Sequence, residues 1–362
     1  MALDDPPAVY STRPVVEIGG MDYPMLNANI QMVRCQESLG GLSVAELTVA
    51  DWIARNDGSA GFGGDAGSPL ILGAGLRIFM GAAAVHAGEI FDGQIIAIEA
   101  EISSDGPPLL TVIAEDRLFS ARRKRQSRIL EQKSPAQIAE QIATDHNLEP
   151  EIRAGLDAPI SDWVQQDESD LAFLRRILAR FDADVQIVGA KLQVGKISVD
   201  QRSAVTLTAG STLLRARICA DMANQVTGAT LASFDPATGE SVKGAADPQG
   251  CGPGSGRTGT DILNSDFAAI PLPLGRHGPM TQDEATKVAQ AEYDRRARTL
   301  VTATGTAIGT SELRVGSWVT LEGVNPQFAN VYAVSDCTHR FSNADGYRTD
   351  FIAECAYLGE AA

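Results

Sequence analysis

Apolar residues along this chain follow two periods, and the change between them divides it. From residue 13 to 117 the runs PVVEIG, MLNANIQMVRC, LSVAELTVADW, LILGAGLRIFM, EIFDGQIIAIEAEIS and PLLTVIAEDRL have strand length and are separated by Gly, Asp, Asn and Pro. Ala45, Leu47 and Val49 alternate with Glu46 and Thr48, the period of a half-buried strand. Asp92-Gly93 and Asp105-Gly106 are turn dipeptides. Short strands in this number predict a small barrel or sandwich over residues 1–117.

At residue 118 the period lengthens. SPAQIAEQIATDHNL has Ser134 as N-cap, Pro135 at the first helical position and Gln137 to close a capping box, with Ile138, Ala139 and Ile142 on one face. Further on, Asp167 to Asp170 place oxygens and negative charge where a helix start has free N–H groups and a positive dipole end. Leu171, Leu174, Ile177, Leu178 and Phe181 then recur at helical spacing, with Arg175, Arg176 and Arg180 on other faces. Asp182 ends the pattern, and VQIV, GAK and LQVG read as a tight hairpin. Residues 118–200 are thus expected to form an α/β unit.

Strand patterns return in AVTLTAG, TLLRARICA and QVTGATLASFD (201–235). PATGESVKGAADPQGCGPGSGRTGTD is too rich in Gly, Pro and Ser to predict a packed element. A helix is expected from Thr281, in a capping box with Glu284, through DEATKVAQAEYDRRAR, so that 236–298 reads as a loop-and-helix insertion. TLVTATGTAIG, LRVGSWVTLEG, NVYAVSDCTHRF and YRTDFIAECAYL (299–362) would complete a second β-barrel begun by the strands of 201–235. The fold class is α+β, mostly β.

Composition narrows the functions. The 362 residues carry a net charge of −16, against the clustered Lys and Arg that phosphate binding needs, so no specific nucleic-acid partner is expected. MALDDPPAVY has neither the basic start nor the apolar core of a secretory signal. LILGAGLRIFMGAAAVHAG, broken by Arg77 and glycines, is a poor membrane span, so no membrane insertion is expected. Five cysteines without a C-x-x-C pair fit reduced thiols, with Cys219, Cys337 and Cys355 expected as small buried hydrophobes in strands.

Candidate chemistry is sparse. GCGPGSGRTGT departs from a Walker loop, with Cys251 and Arg257 at required positions and no strand before it, and reads better as a flexible loop. His86, His146, His277 and His339 are far apart and predict no metal site. Neither a G-x-S-x-G elbow nor an H-E-x-x-H motif occurs. The acidic residues, which could by number include a hydrolytic pair, read as ordinary surface charge. One basic run, Arg122, Arg123, Lys124, Arg125 and Arg128, is either a solvated edge or a binding site, and in an otherwise acidic chain an acidic protein partner fits it better than nucleic acid. No catalytic, cofactor-binding or metal residue is assigned.

The segment WVQQDESDLAFLRRILARFDADVQI resembles the signature of the phage late control protein D family and the related VgrG hub region. Trp163, Val164, Gln165, Glu168, Ser169, Asp170, Phe173, Leu174 and Arg175 match it in order. FDGQI, KSPAQIAEQIATDHNL, GRTGTDIL, TQDEATKVAQAEYDRRAR, LRVGSWVTLEGV, NVYAVSDCTHRF and GYRTDF extend the likeness from about residue 14 to 358. The resemblance implies two tube-like antiparallel β-barrel domains with α/β insertions, three copies of which form a pseudo-six-fold ring. It implies a non-enzymatic baseplate hub of a contractile tail or tail-like injection particle, joining a six-fold tail tube to a three-fold central spike. The partners implied are two further copies, a separate spike protein, a tail tube or tube-initiator protein, and baseplate wedge and tape measure proteins. Such a chain is made in the bacterial cytoplasm and assembled into the particle. The rival readings are a tail-tip cell-wall hydrolase and a type VI secretion-type effector adaptor.

Overall fold

The computed structural model describes residues 13–54, 60–62, 69–81, 88–197, 199, 201–275 and 277–359. His86 and the stretch MALDDPPAVY lie outside the described residues.

The first part supplies β1 (Val15–Ile18), β2 (Met21–Asp22), α1 (Pro24–Ala28), β3 (Ile30–Ser38), β4 (Val44–Ala50), β5 (Trp52–Ala54), β6 (Ala60–Phe62), β7 (Gly75–Phe79), β8 (Glu89–Glu101) and β9 (Leu109–Asp116). The alternation read in β4 is present: Ala45, Leu47 and Val49 are buried in a core with Val33, Ile78 and Val112. The run MLNANIQMVRC is not all strand, because Pro24 opens a short helix before β3. Asp92-Gly93 is no turn. It lies inside β8, where a Cβ on Gly93 would meet the Glu115 carbonyl oxygen at 2.2 Å. Its glycine answers a close approach of β9, while Asp105-Gly106 does lie in the loop between β8 and β9.

The middle part contains α2 (Phe119–Arg123), β10 (Arg125–Lys133), α3 (Pro135–Asp145), β11 (Glu149–Ile152), β12 (Ser161–Ser169), α4 (Asp170–Ala179), β13 (Ala183–Val188) and β14 (Lys191–Lys196). Ser134 and Gln137 form the expected capping box of α3. The start of α4 is more restricted than its acidic run suggested. β12 continues through Asp167, and Ser169 alone caps the helix by accepting from the Ala172 N–H. α4 buries Leu171, Phe173, Leu174, Ile177 and Leu178 against α3 and the β13–β14 hairpin. Each such side chain contributes roughly 1.5–3 kcal/mol on burial.

The last part contains β15 (Ala204–Thr208), β16 (Leu213–Ala220), β17 (Gly228–Phe234), β18 (Ser241–Ala245), β19 (Arg257–Thr258), α5 (Gly259–Asp266), β20 (Pro271–Leu274), α6 (Gln282–Arg298), β21 (Val301–Ile308), β22 (Trp318–Glu322), β23 (Val331–Ser342), β24 (Gly346–Cys355) and β25 (Tyr357–Leu358). Three expectations change here. β17, assigned to a second barrel, instead sits between β18 and β20 in a separate three-stranded sheet against α6. The Gly-rich region holds β18, β19 and α5, since Thr258 and Asp261 supply a capping box that its glycine content concealed. Thr281 caps α6, but Glu284 does not return the bond, because its carboxylate goes to Arg180.

One mostly antiparallel sheet runs through the molecule in the order β16-β21-β24-β23-β3-β4-β9-β8-β7-β1-β2, with β22 on β23 and β15 on β22. The β23–β3 ladder, Asp336↔Ser38 to Ser342↔Met32, fuses the two β-rich parts. Among the described residues the strands make no closed barrel. Cys337 and Cys355 are buried as expected, whereas Cys219 is exposed, because β16 is an end strand of this sheet.

Candidate functional site

The residues from Trp163 to Arg175 converge on a packed joint. β12 pairs with β10, and the side chains alternate: Trp163 and Gln165 point inward while Val164 is 52% exposed. The Trp163 indole N–H donates to the Lys133 carbonyl at 2.8 Å, its ring meets Phe181 edge-on, and the Arg180 guanidinium lies 5.4 Å from the ring centre. Phe173 and Leu174 are fully buried.

Asp170 is the polar centre of this joint. Its carboxylate accepts from Gln165 at 2.9 Å, Gln126 at 2.5 Å and Arg128 at 3.0 Å, and lies 2.9 Å from His146 Nε2. Burial is the largest single influence and works to raise its pKa. Hydrogen bonds from Gln165, His146 and Gln126, with the Arg128 charge, outweigh it and hold the carboxyl below the usual range. A carboxylate kept charged by four partners is a poor proton donor. Glu168 is bound by Arg176 at 2.5 Å.

Arg175 reaches out of the α/β unit. Its guanidinium donates to the carbonyls of Gly40 and Gly41, the latter at 2.7 Å. Asp184 accepts the Gly40 N–H, Asp116 accepts the Ser43 N–H at 2.6 Å, and Gln186 donates to the Ser38 carbonyl. The tip of the β3–β4 hairpin is therefore gripped on both its donors and its acceptors. Gly41 has φ +68°, and a Cβ there would meet the Val185 carbonyl at 2.6 Å, so this turn requires glycine on both counts.

The basic run is divided by the fold. Arg122 makes two bonds to Glu115 at 2.7 and 2.6 Å, and Arg128 binds Asp170, Gln165 and Asp145. Arg125 meets Asp167 at the surface, and Arg123 stacks over Phe119. Arg123 and Lys124 are exposed.

An open cavity of about 850 Å³ lies where α4, β13 and α6 meet the end of β3. Arg180, Asp182, Asp184, Arg295 and Arg298 line it, and their charges are already partnered. Arg180 binds Glu284 at 2.6 Å, Arg295 binds Glu292 at 2.5 Å, and Arg298 binds both Asp182 and Glu354. No group of His, Cys, Asp and Glu among the described residues is arranged to hold a metal. His339 and Cys337 lie 3.5 Å apart, but both are fully enclosed. Burial holds the imidazole well below its ordinary pKa and pushes the thiol up to about 12, the opposite of an activated pair. The arrangement holds elements together.

Sequence reasoning missed the partners of this joint. Gly40-Gly41 carried a signal, since paired glycines beside a strand pattern mark positive φ. Arg298 and Glu284 carried none, being charged residues within an ordinary helical pattern.

The fold has close counterparts among solved structures. The 43 kDa tail protein of prophage MuSo2 from Shewanella oneidensis matches with a TM-score of 0.67 at 13% identity, over 95% of this chain and 98% of that one. The tail protein from Neisseria meningitidis MC58 matches with a TM-score of 0.63 at 12% identity, over 94% and 96%. The E. coli c3393 protein is described as a component of the type VI secretion system similar to T4 bacteriophage tail proteins gp27 and gp5. It matches with a TM-score of 0.60 at 13% identity, over 96% and 79%. No curated protein matches in sequence. The Alg8 N-terminal domain model matches residues 14–343, nearly the whole described chain, and this chain belongs to that family.

Proposed function

We propose that this chain is a structural baseplate hub of a contractile tail or tail-like injection particle. Three copies would form a ring between a six-fold tail tube and a three-fold central spike. The observation that supports this best is the end-to-end likeness of fold to two tail proteins, each covered over nearly its full length. The charge pairing of the joint agrees with a load-transmitting part. On this reading the chain is assembled from the bacterial cytoplasm into the particle and meets a spike protein, a tube or tube-initiator protein, and wedge and tape measure proteins. It has no catalytic step. Its contact with an acidic neighbour would use Arg123 and Lys124, the exposed cations left over from the basic run.

Native mass measurement of the chain, alone and with its spike protein, tests the proposal. A trimer in either sample is expected, and a monomer in both would overturn it. Adding the same preparation to a peptidoglycan suspension should leave its turbidity unchanged, whereas clearing would favour the tail-tip hydrolase. The E. coli relative's place in a type VI secretion system favours a second setting for the same hub, a secretion machine instead of a phage tail.

A further inference from the structure

Among the strand edges of the main sheet that have no partner among the described residues, two carry complementary side chains. At one end, β16 pairs with β21 alone. Toward the other, β8 is covered by β7 only as far as Gln94, and the main chain of Ile95 is taken up by Gly73 and Ala74. From Ala97 to Glu101, β8 pairs with β9 and, among the described residues, with no strand on its other side.

Between these edges run eight strands, β16-β21-β24-β23-β3-β4-β9-β8, every neighbouring pair antiparallel. The core face is continuous along this path through Ala303, Phe351, Cys337, Val33, Leu47 and Val112. Arg215 and Arg217 stand on the opposite, open face of β16, and Glu99 and Glu101 stand on that same open face of β8. All four are exposed, and none forms an ion pair among the described residues. On the core face both edges leave apolar side chains partly uncovered, Ile218 on β16 and Ile98, 38% exposed, on β8.

We infer that β16 of one copy adds to the Ala97–Glu101 segment of β8 in the next copy. This rests on the trimeric reading above and gives it an interface. Seven antiparallel steps leave β8 and β16 running in opposite directions, so the new pair is itself antiparallel and the sheet continues unbroken. One register satisfies both faces: Arg217 opposite Glu99 and Arg215 opposite Glu101, with Ile218 opposite Ile98 on the core side. The same register sets the exposed Cys219 opposite Ala97. Directly opposed residues bring Cβ atoms about 4.5–5.5 Å apart, close enough for charge pairing. The contact is head-to-tail, the kind that closes into a ring when its rotation allows. It also removes the exposed edges that invite uncontrolled strand pairing.

The test uses the full chain, with its spike protein if the trimer needs it. Arg215→Glu with Arg217→Glu should weaken trimer formation at least tenfold by native mass measurement, with an unchanged far-UV circular dichroism melt. Adding Glu99→Arg and Glu101→Arg to the same chain should restore it. Separately, Ala97→Cys should give oxidised, covalently linked trimers through the native Cys219, and Cys219→Ala should abolish them. A trimer that neither crosslinks nor responds to charge reversal would overturn this interface and leave the hub reading standing. A chain that is monomeric under every condition would remove both.

Discussion

Asp116 shows how a single side chain sets a pH dependence. It is 3% exposed and accepts the N–H groups of Ser43 and Leu118. Burial raises its pKa to about 6, more than these hydrogen bonds lower it, with the neighbouring Glu115 charge adding to the rise. Because the folded value is above the unfolded one, its contribution to stability is fully present below about pH 4. It is lost as pH rises through about 6. A two-unit shift corresponds to about 3 kcal/mol. Urea unfolding of the wild type and of Asp116→Asn, at pH 4 and pH 7, should therefore show a smaller pH dependence in the variant. Equal dependences would refute the assignment. The sequence marked Asp170 as part of a helix start, and its neighbour Ser169 is the cap. It could not mark Asp170 as a polar centre, since His146, Arg128 and Gln126 reach it from elements 24 to 44 residues away in sequence.

At the level of elements, local chemistry was legible where it acts locally. Ser134, Pro135 and Gln137 fix the start of α3 by bonds within one turn, and the GAK turn between β13 and β14 is likewise self-contained. Where a distant strand intervenes, the same chemistry misleads. Asp92-Gly93 and Asp105-Gly106 are alike in sequence, yet Gly93 faces the backbone of β9 and Gly106 faces open space. Gly106→Ala should then change stability by no more than about 0.5 kcal/mol, as a surface substitution does. Gly93→Ala should cost several times that, because main chain must move to admit a methyl group. Thermal melts of the two variants compare them directly, and similar melts would contradict the close approach. β17 misled for a related reason. Its alternation fits any half-covered sheet, and only α6 packing over it selects the small one.

For the whole molecule, mostly β character and the order of β-rich and helical stretches were readable, because period and turn residues are written along the chain. The merging of both β-rich parts into one sheet was not, since β3 and β23 share no local signal. Phe341 and Tyr347 pack into the core of the first part, so that core draws on both ends of the sequence. A fragment of residues 13–200 should consequently be aggregated or rapidly digested under limited proteolysis that spares the full chain. A soluble, protease-resistant fragment would show that the first part closes without β23.

The β3–β23 ladder also sets a schedule. Its partners are separated by roughly three hundred residues, a distance that slows folding because loop closure precedes any reward from the contact. At about 5–20 residues per second, translation leaves the Ile30–Ser38 edge waiting roughly 15–60 s for its neighbour. Through that interval the nascent chain presents an open strand in a crowded cell. The joint that makes the finished molecule continuous is therefore also the step at which its synthesis is most exposed to wrong partners.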